Sequence, residues 1–243
     1  MISSERRPDP GKISVILPAY NERDNLLQLI PAIQYELHGR NLEIILVDDN
    51  SPDGTADAIR EAFSGVPEVR LIVRTEGKGF ARSILHGIRE STGDIIIVMD
   101  SDFNHQPHYL PFMVDALKYY DLVTGSRFLI GGLMSPRSRH LLSWLFNVCV
   151  RLVTGGSITD NLYGFFSCRR GILFRYEKKF DVIFEGFGEY YIRLLYWIQQ
   201  DGDVTILQFP AINGTRRAGE KNSSFVKLFL SYMAATIACR FKV

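Results

Sequence analysis

What this chain lacks narrows it first. Its 243 residues include only 3 cysteines, Cys149, Cys168 and Cys239. They show no C-x-x-C spacing and sit in apolar surroundings, so they read as buried thiols in a reducing compartment. No stretch reaches the roughly 18–20 apolar residues of a spanning helix. Residues 1–12 are polar and proline-rich with no apolar run behind the charges, so no secretory leader is expected. Neither G-x-x-x-x-G-K-[ST] nor G-x-G-x-x-G occurs, which disfavours NTPases and dinucleotide enzymes. Internal repeats, low-complexity segments and an interdomain linker are absent. The histidines, His38, His86, His105, His108 and His140, share no ligand spacing on one helix and are expected at surface or packing positions. Asp49, Ser51, Asp53 and Gly54 fit the start of a calcium loop, but Arg60 stands where a bidentate Glu is needed.

What is present is uneven in charge. Residues 1–122 carry 12 Lys and Arg against 19 Asp and Glu, a net of −7, and residues 123–243 carry 16 against 8, a net of +8. A basic second half suggests a surface for an anionic partner, either a membrane face or phosphates. The length suits one α/β domain with a sizeable core.

The first half alternates strand and helix signals, the pattern of a mostly parallel sheet flanked by helices. Strands are expected at Ile13–Ala19, Leu42–Val47, Val69–Val73, Ile95–Met99 and Leu122–Thr124. Helices are expected from Glu22, at Thr55–Phe63 and at Lys78–Ser91. In the second half, Gly131 through Arg139 reads as a mobile basic loop. Leu141–Val153, Gly188–Gln200 and Ser223–Phe241 read as helices, and Val204–Phe209 as a late strand.

Ligands of open parallel sheets sit at the carboxyl ends of strands. Here those ends read Pro18-Ala19-Tyr20-Asn21-Glu22, Asp48-Asp49 and Asp100-Ser101-Asp102. Paired acids at one edge repel each other unless a cation or hydrogen-bond donors neutralise them. Asp100 and Asp102, with Asn104 continuing the spacing, supply oxygens for a hard cation such as Mg²⁺ or Mn²⁺, a nucleotide's phosphates completing its shell. Gly77-Lys78-Gly79 before a helix is a weaker phosphate signal. Arg127 follows a strand end on the ligand side; Arg137, Arg139 and Arg216-Arg217 add guanidinium groups suited to an anionic substrate.

Together the segments PAYNERDNL (18–26), VDDNSPDGT (47–55), MDSDFNHQP (99–107), TGSRF (124–128), RHLLS (139–143), DNLYGFF (160–166) and TRRAGE (215–220) resemble the family-2 glycosyltransferases, and within them the dolichol-phosphate mannose synthases and related polyprenyl-phosphate glycosyltransferases. The resemblance implies a Rossmann-like glycosyltransferase A fold in a single domain. The expected bounds are 12–222 for the catalytic unit, 1–11 for a flexible N-terminus and 223–243 for an apolar C-terminal helix. By the same resemblance Pro18, Tyr20, Glu22, Val47, Asp49, Asp100 and Ser101 bind the donor, and Arg216 closes over its nucleotide. Asp100, Asp102 and Asn104 form the metal and diphosphate site. Arg127, Arg139 and Ser143 hold the phosphates of donor and acceptor lipid. The catalytic set is Asp102, Arg127 and Arg139.

The implied donor is GDP-mannose or UDP-glucose and the implied acceptor a polyprenyl or dolichyl phosphate. A nucleic-acid partner is not implied. A lipid phosphate carries roughly 1.5–2 negative charges, so it attacks without a base; a hydroxyl acceptor needs one, for which Asp160 is available. An inactive scaffold subunit with the same fold is the rival from another class. The last segment, apolar from Leu228 to Cys239, is expected either in the protein's own core or docked on a cytoplasmic membrane face or a membrane subunit.

Overall fold

The β-branched runs of the first half fold as strands, because such side chains pack well on a pleated sheet covered on both faces. The computed structural model describes residues 11–214 and 225–241. Strands β1 (Ile13–Ala19), β2 (Leu42–Asp48), β3 (Val69–Val73), β4 (Ile95–Val98), β5 (Leu122–Ser126), β6 (Phe166–Arg169) and β7 (Ile206–Pro210) form one 7-stranded sheet in the order β3-β2-β1-β4-β6-β5-β7. Every pairing is parallel except those of β6, which runs against both β4 and β5.

The connecting helices are α1 (Arg23–Glu36), α2 (Thr55–Ala62), α3 (Phe80–Glu90), α4 (Leu110–Ala116), α5 (Arg137–Thr154), α6 (Arg170–Phe174), α7 (Phe180–Ile183), α8 (Glu189–Gln200) and α9 (Phe225–Phe241). They sandwich the sheet between two cores. Val15 and Leu17 point to one face, against Leu26, Leu29 and Ile33 of α1; Ile16 points to the other, against Ile84 and Ile88 of α3. This is the period-2 alternation of a strand covered on both sides. Helix α3 lies so close that a Cβ at Gly87 would stand 2.5 Å from Ile16 Cγ2, so only glycine fits there. The result is a single Rossmann-like α/β domain.

This topology builds one functional edge. All strands but β6 end there, and β6, being reversed, begins there, so the segment leading into it from Asp160 joins their carboxyl ends.

Cys149, expected to be a buried thiol, is exposed, and three elements differ from or refine the expectation. Strand β6 has 4 residues, Phe-Ser-Cys-Arg, with no alternation to announce it. The supposed loop through Arg139 stops earlier: α5 begins at Arg137, directly after Pro136, so Arg137 and Arg139 stand in its first turn. Helix α9 packs on α5 and α8 and buries Ala235, Thr236 and Cys239, yet exposes Phe229, Leu230, Ile237 and Phe241. Among the described residues no helix is long and apolar enough to cross a membrane.

Candidate active site

Backbone strain marks the site. Among the described residues three non-glycines have positive φ: Asn21 (58°), Asn50 (56°) and Phe103 (65°). They follow the carboxyl ends of β1, β2 and β4, which are neighbours in the sheet. Asparagine tolerates this region; for a buried phenylalanine it costs on the order of 1–2 kcal/mol, and such strain gathers at functional loops.

Side chains stitch the three loops together. Asn21 N–H donates to Ser51 Oγ at 2.9 Å, and Asp48 accepts from Ser51 N at 3.0 Å and from Ser51 Oγ. Ser101 Oγ donates to Pro18 O at 2.7 Å, tying β4's loop to β1. Pro18 and Val47 are register partners, and Val47 is fully buried, so its side chain presents no surface to a ligand. Tyr20 stands out at 49% exposure. Glu22 is buried, accepting from Asn25 Nδ2 at 2.5 Å, beside a cavity of about 450 Å³ lined by Asn21–Asn25, Pro52 and Asp53.

Asp49 is deeper than its expected role suggests. Its Oδ1 accepts from Arg74 Nη1 at 2.9 Å and Ser83 Oγ at 2.7 Å, and its Oδ2 from Gly79 N at 2.7 Å. It therefore anchors the Gly77–Gly79 turn at the start of α3. Arg74, just past β3, is the partner that sequence reasoning missed, although its strand end shares the functional edge.

The acids after β4 differ from each other. The Asp100 side chain is 34% exposed; Asp102 is 8% exposed, accepting from Asn104 N at 3.0 Å and Asn104 Nδ2 at 2.6 Å. Asn104 thus turns its amide nitrogen toward Asp102, while its Oδ1 accepts from Asn213 Nδ2 at 3.1 Å. The third oxygen expected of Asn104 is engaged by β7's exit segment. The described residues hold no group of three His, Cys, Asp or Glu placed for a metal. Two carboxylates still fit Mg²⁺ or Mn²⁺, which bind through one or two acids plus substrate phosphates.

His105 is the second missed residue. It accepts Asp100 N–H on Nδ1 at 2.8 Å, and its Nε2 stands 3.0 Å from Tyr163 O, so it carries its proton on Nε2. The ring stacks on Phe165 with centroids 4.8 Å apart. Burial pushes its pKa down to about 4, against the opposing field of Asp102. A neutral imidazole thereby fixes the loop after β4 to the segment entering β6.

Arg127 is more committed than predicted. Its Nε and Nη2 grip Asp160 at 2.7 and 2.8 Å, its backbone N–H adds a third bond at 3.1 Å, and Nη1 points at Met134 Sδ. The guanidinium lies 5.0 Å over the Tyr163 ring. Burial opposes its charge, but Asp160 prevails and the pKa is raised. The bidentate fork is therefore spent inside the protein, and what remains for any ligand is the charge of the guanidinium. Asp160 is fully buried with both oxygens held by Arg127, so neither is turned toward an acceptor hydroxyl.

Arg139 is exposed and makes no ion pair among the described residues. With Ser143 and Asn147 it marks one face of α5, four residues apart each time. Asn147 Nδ2 donates to Ser143 O at 2.9 Å, and its Oδ1 accepts from Asn161 N at 2.6 Å, which orients this face against the Asp160 segment. Arg216 lies outside the described residues.

A dolichol-phosphate mannosyltransferase from Pyrococcus furiosus is 38% identical over 167 residues, 67% of this chain and 47% of its own length. An undecaprenyl-phosphate mannosyltransferase from Micrococcus luteus is 32% identical over 67% of this chain and 68% of its own. The chain thus spans about half the length of the archaeal relative. Glucosyl-3-phosphoglycerate synthase from Mycobacterium tuberculosis, solved with Mn²⁺, UDP and phosphoglyceric acid, matches with TM-score 0.72 at 20% identity, covering 95% of this chain and 79% of that one; the likeness is one of fold, the glycosyltransferase A type. The model of glycosyl transferase family 2 matches residues 14–176, and the chain belongs to that family.

Proposed function

We propose that this protein moves a hexose, mannose or glucose, from a nucleotide diphosphate sugar (GDP-mannose or UDP-glucose) to a polyprenyl or dolichyl phosphate, with inversion. The observation that carries the reading is the meeting at one sheet edge of acids from β1, β2 and β4 with the Arg127–Asp160 pair and the Arg139–Ser143 face of α5. The names of the mannosyltransferase relatives favour the acceptor class.

The nucleotide end lies with Tyr20, Glu22 and the β2 loop, Asp49 acting by holding that loop, and Arg216 is a further contact by resemblance. Asp100 and Asp102 hold Mg²⁺ or Mn²⁺, which when bound neutralises the diphosphate and eases its departure. Ser101 and His105 fix those acids in place. Arg139 and Ser143 receive the acceptor phosphate, and the buried charge of Arg127 adds to the field there. An already charged phosphate oxygen needs no base, which agrees with the burial of Asp160. The unit 12–222 is taken as catalytic, with α9 as a docking element.

A peripheral position on the cytoplasmic membrane face, alone or with a membrane subunit, fits the exposed Leu141, Leu142, Trp144 and Leu145 of α5 beside Arg137 and Arg139. Apolar surface flanked by cations suits an anionic lipid interface.

The test is a donor panel, GDP-mannose and UDP-glucose, each with and without polyprenyl phosphate, in Mn²⁺ or EDTA. The expected result is transfer only with lipid phosphate and metal, falling roughly a hundredfold or more in Asp102→Asn. Transfer to a saccharide hydroxyl instead, or nucleotide affinity unchanged by EDTA, contradicts the reading.

A further inference from the structure

Glu189 is the first residue of α8 and is only 7% exposed. Its carboxylate folds back over the preceding loop: a Cβ added at Gly186, where φ is +81°, would collide with Glu189 Oε1. The other oxygen, Oε2, is buried with no hydrogen-bond partner among the described residues. A carboxylate oxygen removed from water without a donor is destabilising, and native proteins keep few such groups. The positive end of the α8 dipole offsets part of the cost, but it leaves Oε2 unpaired.

The surroundings point to a ligand. Tyr232 of α9 reaches the same loop, its hydroxyl so close to Gly188 that a Cβ there would overlap it. Burial holds this phenol above its ordinary range, the negative fields of Glu189 and Asp100 raise it further, and Arg127 and Arg139 oppose them. Tyr190, beside Glu189 in sequence, is likewise raised by burial and then by Asp100. Tyr190 Oη lies 3.5 Å from Gly164 O, next to Tyr163, whose ring Arg127 covers, and Tyr232 packs on Phe146 of α5, so the start of α8 stands beside the Arg127 segment and α5, with Tyr232 over it from α9. A hexose whose diphosphate sits at Asp100 and Asp102 carries hydroxyl groups into that space. A neutral hydroxyl is the donor that satisfies a buried carboxylate oxygen without adding charge.

We infer that Glu189 is a specificity-determining residue whose unpaired oxygen accepts a hydroxyl of the transferred hexose, with Tyr232 closing the pocket over it. This rests on the donor half of the proposed function and is independent of the acceptor.

The test is calorimetry in Mn²⁺ with GDP-mannose and UDP-glucose, the matching nucleoside diphosphates, and deoxy analogues of the sugar. Wild type, Glu189→Gln and Tyr232→Phe are compared, with thermal melts to check folding. Glu189→Gln is expected to bind the nucleoside diphosphate like wild type but the sugar nucleotide roughly 10- to 100-fold more weakly, the worth of a hydrogen bond to a charged group. One deoxy analogue should bind wild type with the same loss and lose nothing more in Glu189→Gln. Unchanged sugar-nucleotide affinity, or equal weakening of diphosphate and sugar nucleotide, overturns the assignment. So does intact donor binding with lost transfer, which makes Glu189 a base for an acceptor hydroxyl. Wild type alone overturns it if every deoxy analogue binds like the parent sugar. Donor binding without transfer to polyprenyl phosphate sinks the acceptor reading while leaving these outcomes readable; failure to bind any nucleotide sugar sinks both.

Discussion

The molecule before β5 and the molecule from β5 onward solve different problems on one sheet. The first part is acidic by sequence, and two of its buried acids are paired with its own cations: Asp49 with Arg74, and Glu43 with Lys12. The second part is basic and turns apolar side chains outward. Of the 19 large apolar side chains exposed among the described residues, 5 precede β5 and 14 follow it, 9 of them on α5 and α9. Random scatter would divide them nearly evenly. The contrast sets a first part that closes Asp49 and Glu43 with its own cations against a second part that leaves apolar side chains of α5 and α9 uncovered, as the proposed division between donor and acceptor ends requires.

The sharpest test of this comparison is the buried Arg127–Asp160 pair, where the second part closes an acid internally as the first part does. Asp160→Ala leaves the buried Arg127 guanidinium unpaired, so a loss of about 3–5 kcal/mol is expected in urea or thermal unfolding. Replacing both, Arg127→Met with Asp160→Leu, should restore much of it. A double variant as unstable as the single one would mean that the pair is more than a matched charge. A smaller effect is expected from Trp144→Ser with Leu145→Ser on α5. Being surface changes, they should alter stability by no more than about 0.5 kcal/mol, yet reduce flotation with anionic liposomes several-fold. Unchanged flotation would remove α5 from the docking face. The smallest effect on activity lies in the scaffold. Burial alone would raise Glu43, but Lys12, Ser14 and Thr92 outweigh it and hold its pKa down to about 2. The sign follows: its contribution is complete above the ordinary carboxylate range and is lost as pH falls from about 4.5 toward 2. Glu43→Gln should flatten stability in that window and leave neutral-pH activity unchanged.

The same division decides what sequence could reveal. β1 to β4 were legible because fully buried parallel strands read as β-branched runs, and their loops carry the acids at the edge where such sheets bind ligands. β6 was not, since four residues between loops have no period to read, and with it went the route by which Asp160 reaches the site. The start of α5 was misplaced because Gly131, Gly132 and Pro136 suggested a loop, while the helix begins just behind the proline. Strand-end logic points to Asp49, Asn104 and Arg127, and each of them follows the carboxyl end of a strand, β2, β4 and β5. What no spacing could disclose is that Arg74, Asn213 and Asp160 already occupy their polar atoms. Glu189 escaped notice because an acid opening a helix is ordinary; only burial without a partner sets it apart.

Arg139 tests the division of labour most directly, being exposed, unpaired among the described residues and absent from the scaffold's internal network. In Arg139→Ala, transfer of mannose from GDP-mannose, or glucose from UDP-glucose, to polyprenyl phosphate is measured at saturating donor beside nucleoside diphosphate affinity in Mn²⁺. The account predicts transfer reduced roughly a hundredfold, the worth of a charge-assisted contact to phosphate, with nucleotide affinity within about twofold of wild type. Transfer and nucleotide affinity falling together, or transfer undiminished, would contradict it.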